Sequence, residues 1–293
     1  MLFPQLLLDG LGKGAVYAAL ALALVLVYRS TGLVNFAQGE FATLSAYLTW
    51  TLTASGLNVW AALLAAIALS AVVGAAIEWL VIRPLLSRSH LLPVIMMIAL
   101  YIVTNAAAQV MFGPNPRPVP SLFPDVSWNV AGLRVSAALI GVFVVEAAIV
   151  AALWLFFERS SAGLAFRAVA TAPEQSKFVG IRVNRLLMLG WGLAAAVGAV
   201  AAVLLTNLDF YLQPDMMSGV LVYSLAAITL GGFDSPAGAI TGGLIIGVLE
   251  TLASGYLPGS SADLGLIVAL AVIVCVLSIR PQGLRGRPVV ARV

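Results

Sequence analysis

Residues 11–28 read LGKGAVYAALALALVLVY, a stretch in which Lys13 is the only charged side chain. A helix needs about 20 mostly apolar residues to cross the hydrocarbon core of a bilayer, so the stretch predicts a membrane-spanning helix. Stretches of the same kind recur, with short breaks, as far as residue 279. Their recurrence indicates that lipid, rather than water, surrounds most of the folded chain.

The composition excludes a soluble globular protein. Of the 293 residues, 62% are hydrophobic and only 9% are charged, whereas soluble domains carry about 25% charged residues. No polar stretch is long enough to form a separate soluble domain, so residues 1–293 are expected to form a single transmembrane domain. The basic residues lie mainly in short segments between apolar stretches, which is typical of membrane topology and not of nucleic-acid binding.

The hydrophobicity pattern predicts an all-α, polytopic integral membrane protein with about eight or nine transmembrane or re-entrant helices. The predicted apolar segments are residues 11–28, 33–54, 59–82, 91–112, 135–157, 186–207, 216–230, 237–253 and 264–279. The segment 216–230 is short and ends at two glycines, so it could be a half-span instead of a full crossing.

The distribution of Lys and Arg predicts the orientation, because cytoplasmic segments carry an excess of these residues. Three segments are rich in them: the loop 83–88, the loop 158–185 and the tail from residue 280. We expect all three, including the C-terminus, on the cytoplasmic side. If all nine segments cross, the N-terminus is periplasmic. The loop 207–215 carries two aspartates and no Lys or Arg, as expected for the opposite side.

Four glutamates, Glu40, Glu78, Glu146 and Glu250, lie in or at the ends of apolar segments. A carboxyl group inside a span costs about 2.5 to 3.5 kcal/mol on insertion scales, so each needs a partner or a function. Glu78 is expected to pair with Arg83 near a helix end. Glu146 is expected to be buried and bonded to another helix, and Glu250 to face protein.

Glu40 is the most suggestive of the four, because it closes a polar group at the start of a span. The group includes Asn35 and Gln38 in the sequence NFAQGE at residues 35–40. Such a group is costly inside a membrane unless it faces a cavity, a partner or the interface. We therefore predict that Asn35, Gln38 and Glu40 belong to a substrate pathway.

A second polar break, GGFDSPAG, occupies residues 231–238. Glycine and proline interrupt a helix and leave backbone N–H and C=O groups without their helical hydrogen bonds. A membrane tolerates such groups only where protein or water covers them. Broken helices of this kind line transport sites, so the predicted pathway also includes Gly231, Gly232, Asp234 and Ser235. A tight cytoplasmic turn explains the same residues equally well.

The loop 158–185 is predicted to form short helices along the cytoplasmic face. Pro173 can begin a helix and Gly180 can end one. A short helix with basic flanks would present a docking surface to a soluble partner. The alternative is a positively charged loop that only fixes the topology.

The sequence contains no recognisable motif for ATP binding, metal binding or catalysis. It lacks the G-x-x-x-x-G-K-[ST] phosphate loop, so the chain is not expected to bind ATP by that route. It contains one cysteine and one histidine, and no Cys/His cluster or nucleophile-elbow pattern. We therefore expect no catalytic residues, no metal and no cofactor.

Four motifs resemble those of the LivH-type branched-chain amino acid permeases. TGLVNFAQGE at 31–40 resembles T-G-x-I-N-F-A-H-G-E, and RPL at 83–85 resembles the R-P-L that closes an early helix there. GGFDSPAGA at 231–239 resembles G-G-x-G-S-x-x-G-A, and RPQGL at 280–284 resembles a terminal R-P-x-G-L. The motifs follow in the same order across nearly the whole chain. Gln38 stands where that family usually has His, and Asp234 where it has Gly.

The loop 158–185 carries a further resemblance, to the E-A-A-x-x-x-G loop of ABC importer permeases. Glu174 and Gly180 match its spacing, whereas its two alanines are absent. The resemblance implies that this loop couples the chain to ATPase subunits. The residues expected to do so are Arg167, Glu174, Lys177, Gly180 and Arg182.

The resemblance implies an ABC importer permease of the bacterial inner membrane, which carries leucine, isoleucine and valine by alternating access. The implied partners are a second permease, two cytoplasmic ATPase subunits that bind the ATP, an extracytoplasmic solute-binding protein and membrane lipid. Urea and short amides are alternative solutes. Outside this family, the residues also allow a proton-driven transporter that uses Glu40, Glu146 or Glu250, or a purely structural subunit.

Overall fold

The computed structural model describes residues 2–86, 88–89, 91–171, 173–209, 211–256, 261–280 and 282–285. Within this part the chain is almost entirely helical. Six helices are long and apolar enough to cross a membrane, and two shorter apolar helices, Met216–Gly231 and Gly265–Ile279, accompany them. The predicted all-α membrane fold is confirmed.

The helices and strands follow the chain in this order: α1 (Leu2–Thr31), α2 (Gln38–Ala54), α3 (Val59–Ile77), a π-helical turn (Glu78–Ile82), α4 (Arg83–Leu86), α5 (Leu91–Phe112), β1 (Arg117–Pro118), β2 (Ser127–Val130), β3 (Leu133–Ser136), α6 (Ala137–Arg159), α7 (Ser161–Thr171), α8 (Pro173–Phe178), α9 (Val183–Asp209), β4 (Tyr211–Leu212), α10 (Met216–Gly231), α11 (Pro236–Tyr256) and α12 (Ser261–Ile279). Each of the nine predicted apolar segments coincides with a helix. The boundary that differs most is the start of α1, which lies at residue 2 instead of 11, and the start of α2 lies at residue 38 instead of 33.

Helix α1 is the centre of the bundle. It packs against α6, α9, α10 and α11, and its residues from Ala15 to Val27 are buried. The contact with α11 is close because glycines face each other: a Cβ on Gly14 would lie 2.8 Å from the Cα of Leu244. Small residues at this spacing let helix backbones approach each other in membranes.

The three segments predicted to be cytoplasmic meet at one end of the bundle, called here the basic end. Arg83 of the first segment donates to the backbone oxygen of Asn184 in the second, at 2.9 Å. The described part of the tail packs on the turn between α10 and α11, where the backbone N–H of Leu284 donates to the oxygen of Leu230 at 2.7 Å. The tail beyond Arg285 lies outside the described residues.

The opposite end carries the four short strands. β1 pairs with β4, and β2 pairs with β3, both antiparallel. The side chain of Gln5 near the start of α1 donates to the oxygen of Arg134 in β3, at 3.2 Å. The N-terminal end of α1 therefore lies at the end opposite the basic end. This agrees with the prediction of nine crossings, because an odd number places the N-terminus and the tail on opposite sides.

Two of the intramembrane glutamates have the surroundings that were predicted. Arg83 pairs with Glu78, with 2.5 Å between Nη2 and Oε2. Glu250 faces α1, where Lys13 Nζ lies 3.3 Å from its Oε1.

The expectation for Glu146 was wrong. Its side chain is buried, with 7% exposed, yet neither carboxyl oxygen has a hydrogen-bond partner among the described residues. The physical reason lies in its neighbour: α6 packs on α1, and residues 18–27 of α1 carry only apolar side chains.

Candidate substrate pathway and coupling surface

Helix α2 begins inside the bundle. Gly32, at φ +72°, ends α1, and residues 32–37 are not helical. The side-chain oxygen of Asn35 accepts from the backbone N–H of Ala37 at 3.1 Å and so shapes the turn into α2. Gln38 then donates to the backbone oxygen of Ala194 at 2.9 Å. Since Ala194 lies eleven residues into α9, the start of α2 is about 16 Å along that helix from the basic end.

Asn35 and Gln38 satisfy each other. The Nδ2 of Asn35 donates to the Oε1 of Gln38 at 2.9 Å, and both side chains are buried. Gly198 of α9 makes room for them, because a Cβ there would lie 2.6 Å from Gln38 Nε2. These two predicted pathway residues therefore hold the break in place with their own polar groups.

Glu40 joins three helices. Its Oε2 accepts from Asn105 Nδ2 of α5 at 3.1 Å, and its Oε1 accepts from Ser218 Oγ of α10 at 3.3 Å. The side chain is 1% exposed. Only neutral donors bind this carboxyl in the part of the chain that the structure describes.

The other members of this cluster were missed by sequence reasoning. Tyr101 lies with its hydroxyl 3.5 Å from Ser218 Oγ, and Gln109 donates to Asn105 Oδ1 at 2.6 Å. Asn105 and Gln109 are one helical turn apart in an otherwise apolar segment, and that spacing could have identified them. The hydroxyl of Ser218 gave no signal, because single serines are common in membrane helices. Below, the Glu40 cluster means Glu40, Tyr101, Asn105 and Ser218.

The second predicted motif lies elsewhere. Gly231 ends α10, Gly232 has φ +110°, and Ser235 accepts from the N–H of Gly238 at 3.0 Å to cap α11. The motif is thus a tight turn at the basic end. Thirteen residues of α10 separate it from Ser218, or about 20 Å along the helix, so the motif does not join the Glu40 cluster.

The predicted short helices of the loop 158–185 are present as α7 and α8. Helix α7 is anchored by Phe166, which is buried with its ring 5.2 Å from that of Phe157 in α6. Arg167 forms an ion pair with Glu158 at 2.7 Å. These two contacts connect α7 to α6.

The end of α8 forms an exposed apolar tip. Phe178 is 89% exposed and Val179 is 75% exposed. Gly180, at φ +81°, reverses the chain directly after them, and both Lys177 and Arg182 are exposed beside them. The side chain of Glu174 lies outside the described residues. An apolar tip with basic flanks at a bundle end has the character of a protein-docking surface.

A bundle of apolar helices that is broken at mid-depth by buried polar groups, with a short exposed helix at one end, defines a polytopic membrane transport protein. Within that class, the chain belongs to the family of branched-chain amino acid transport system permease components, whose sequence model matches residues 6–277. The family indicated by the sequence motifs is thereby confirmed.

The chain is similar to individual permease proteins over nearly its full length. The chain is 32% identical to the high-affinity branched-chain amino acid transport system permease protein BraD of Pseudomonas aeruginosa, with 99% of this chain and 98% of BraD covered. It is 31% identical to LivH of Escherichia coli, with the same coverage. Among solved structures, a chain of PsaBC from Streptococcus pneumoniae in complex with Fab superposes with a TM-score of 0.51 at 15% identity, covering 94% of this chain and 91% of that one. This last likeness concerns the fold.

Proposed function

We propose that the chain is the permease subunit of an ABC importer that carries leucine, isoleucine and valine across the bacterial inner membrane by alternating access. The exposed tip of α8 is the observation that carries this proposal, because an 89% exposed phenylalanine between basic residues favours docking of a partner at the basic end. Cytoplasmic ATPase subunits fit that position, since basic segments face the cytoplasm. The N-terminus is then periplasmic.

The proposed power stroke enters through α7 and α8. ATPase subunits that close on ATP push the tip, and Phe166 and the Arg167–Glu158 pair pass the movement to α6. The remaining proposed partners are a second permease subunit and an extracytoplasmic solute-binding protein, as the family's membership in a transport system suggests.

The proposed solute contact is the Glu40 cluster. Its carboxyl is held by neutral donors, so the ammonium group of an amino acid would be a favourable charge partner. Urea and neutral amides lack that group. Competition by acetamide and urea against leucine uptake therefore tests the solute class, and strong competition would favour an amide permease.

The coupling role is tested by Gly180→Val. A β-branched residue in the left-handed region costs about 1–2 kcal/mol, and the strain falls on the turn behind the tip. We expect leucine uptake to fall by about five-fold or more, while ATP hydrolysis by the assembled complex persists. Both are measured in proteoliposomes that contain the assembled complex of this chain, the second permease and the ATPase subunits, supplied with the solute-binding protein.

The matched control is Gly56→Val. Gly56 has φ +100° and open space around it, as Gly180 has, but it follows α2 at the opposite end. The control should cost similar stability and leave uptake near normal. Equal loss of uptake in both variants, or full coupling in Gly180→Val, would contradict the proposal.

A further inference from the structure

The β2–β3 hairpin has one apolar face and one polar face. Side chains that stand opposite each other in an antiparallel pair lie on the same face, and side chains along one strand alternate between faces. Trp128 pairs with Val135, and Val130 pairs with Leu133, so these four side chains share one face. The other face carries only polar side chains: Ser127, Asn129, Arg134 and Ser136.

Two large side chains of the apolar face are exposed. Trp128 is 49% exposed and Val130 is 58% exposed. An isolated two-stranded hairpin is at best marginally stable in water, and the removal of apolar surface from water is the main favourable contribution to folding. A further surface that covers these two side chains would therefore stabilise the hairpin.

Exposed tryptophans mark the two boundaries of the membrane. Trp60 at the start of α3 is 43% exposed, and Trp79 in the π-helical turn that follows α3 is 54% exposed. They are nineteen residues apart, or about 28 Å along the helix, close to the hydrocarbon thickness of about 30 Å. Tryptophan is enriched at both membrane–water boundaries. Trp60 belongs to the end of the bundle that carries the strands, called here the strand end, because its ring lies 5.8 Å from that of Phe123 in the loop before the hairpin.

The same spacing along α6 places the hairpin at the membrane surface. Trp154 is 53% exposed, and Arg159, the last residue of α6, lies over its ring at 5.7 Å. Ser136, which ends the hairpin and caps α6, comes eighteen residues before Trp154, or about 27 Å along the helix. The hairpin therefore joins α6 at the boundary of the opposite leaflet. The first turns of α6 beyond that point expose the apolar side chains of Ile140 and Val144, so the lipid-facing surface reaches the hairpin.

We propose that the apolar face of the hairpin binds the lipid surface at the strand end. Trp128 and Val130 lie at the boundary between headgroups and acyl chains, and the polar face with Arg134 is turned to water. Amphipathic helices lie on membranes in the same way, with the apolar side buried at this boundary. Gln5 of α1 exchanges two hydrogen bonds with the backbone of Arg134, at 3.2 and 2.9 Å. The hairpin thus anchors the start of the central helix to this leaflet.

Two adjacent residues on opposite faces of the hairpin provide the test. Cys275 is the only natural cysteine, so in a Cys275→Ala background Val130→Cys and the matched control Asn129→Cys each carry one environment-sensitive fluorophore. The full chain is measured in lipid nanodiscs. We expect brominated lipid to quench the label at residue 130 several-fold more than the label at residue 129, and aqueous iodide to quench in the reverse order. Equal quenching of the two labels by iodide would overturn the proposal.

The unlabelled chain gives a second measurement that needs no added group. The difference between the emission of the unmodified chain and of Trp128→Phe should be blue-shifted and quenched by brominated lipid. Trp191→Phe is the control, because Trp191 is 2% exposed and its removal should leave the lipid-quenched part unchanged.

Both measurements are repeated in the assembled complex with the second permease, before and after addition of the solute-binding protein. Quenching by lipid should persist throughout. If it is lost on assembly, the second permease covers the apolar face, and if it is lost on addition of the solute-binding protein, that protein covers it. Either loss would overturn the assignment to lipid.

Discussion

Single side chains differ in what the sequence could predict of them. The pair of Glu78 and Arg83 was predictable because its partners are five residues apart, whereas Lys13 and Glu250 are 237 residues apart and only the facing of Glu250 could be expected. For Glu146 the expectation of a bonded carboxyl was wrong. Hydrophobicity places a residue in the membrane, but it does not identify the face of the neighbouring helix.

Glu40 is expected to be sensitive to the loss of its charge. Glu40→Gln keeps the size of the side chain and one acceptor for Asn105 or Ser218, so the fold should survive. The variant loses the proposed hydrogen bond between the carboxylate and the ammonium group of the solute, and hydrogen bonds to charged groups are worth about 1.5–3 kcal/mol. The initial rate of leucine uptake should therefore fall roughly ten-fold or more. Glu146→Gln, the same change outside the Glu40 cluster, is the control. Normal uptake by Glu40→Gln would remove this carboxyl from the pathway.

Glu146 is expected to destabilise the protein. A buried polar group without a partner costs about 1–3 kcal/mol, so Glu146→Leu should raise the free energy of unfolding in micelles by an amount of that order. Leucine uptake should be unchanged. Lower stability, or lost uptake with an intact fold, would instead show that the carboxyl meets a partner subunit or serves the transport cycle.

Whole helices were predictable and their interruptions were not. The nine apolar segments are local signals, since a span needs only length and hydrophobicity. The start of α2 was placed five residues early because residues 33–34 and 36–37 are apolar, and only Gly32 and the Asn35 turn break the helix. The β2–β3 hairpin was missed as well. It turns at Ala131 and Gly132, both with positive φ. These residues are not the Asn-Gly or Asp-Gly pair that would have predicted a hairpin turn.

The break before α2 is expected to depend on Gly198. In Gly198→Ala the new Cβ would lie 2.6 Å from Gln38 Nε2 and would displace the bond of Gln38 to Ala194. Leaving the buried side-chain N–H of Gln38 without its acceptor should cost about 1–3 kcal/mol, measured as a lower thermal midpoint, and uptake should fall with it. Gly219→Ala is the matched control, because its Cβ would meet nothing closer than 3.8 Å. Equal midpoints for the two variants would contradict the role given to Gly198.

The molecule as a whole has two chemically distinct ends. Arginines gather where α7, α8, the turn between α10 and α11 and the tail meet, and the four strands cover the other end. Charge along the sequence was sufficient to group these segments, because the rule counts basic residues and needs no contacts. It could not show that the predicted pathway residues fall into two separate places, since their distance is a property of the packed helices.

The orientation of these ends is the remaining expectation, and single cysteines can test it. Cys275 is the only natural cysteine, so Cys275→Ala gives a background without thiols. Ser127→Cys in β2 and Gln175→Cys in α8 then place one exposed thiol at each end. In intact spheroplasts a membrane-impermeant maleimide should label Ser127→Cys at once and Gln175→Cys only after permeabilisation, because the positive-inside rule puts the arginines in the cytoplasm. The reverse pattern would turn the tip of α8 outward, away from any cytoplasmic ATPase, and would remove the basis for coupling through Phe178.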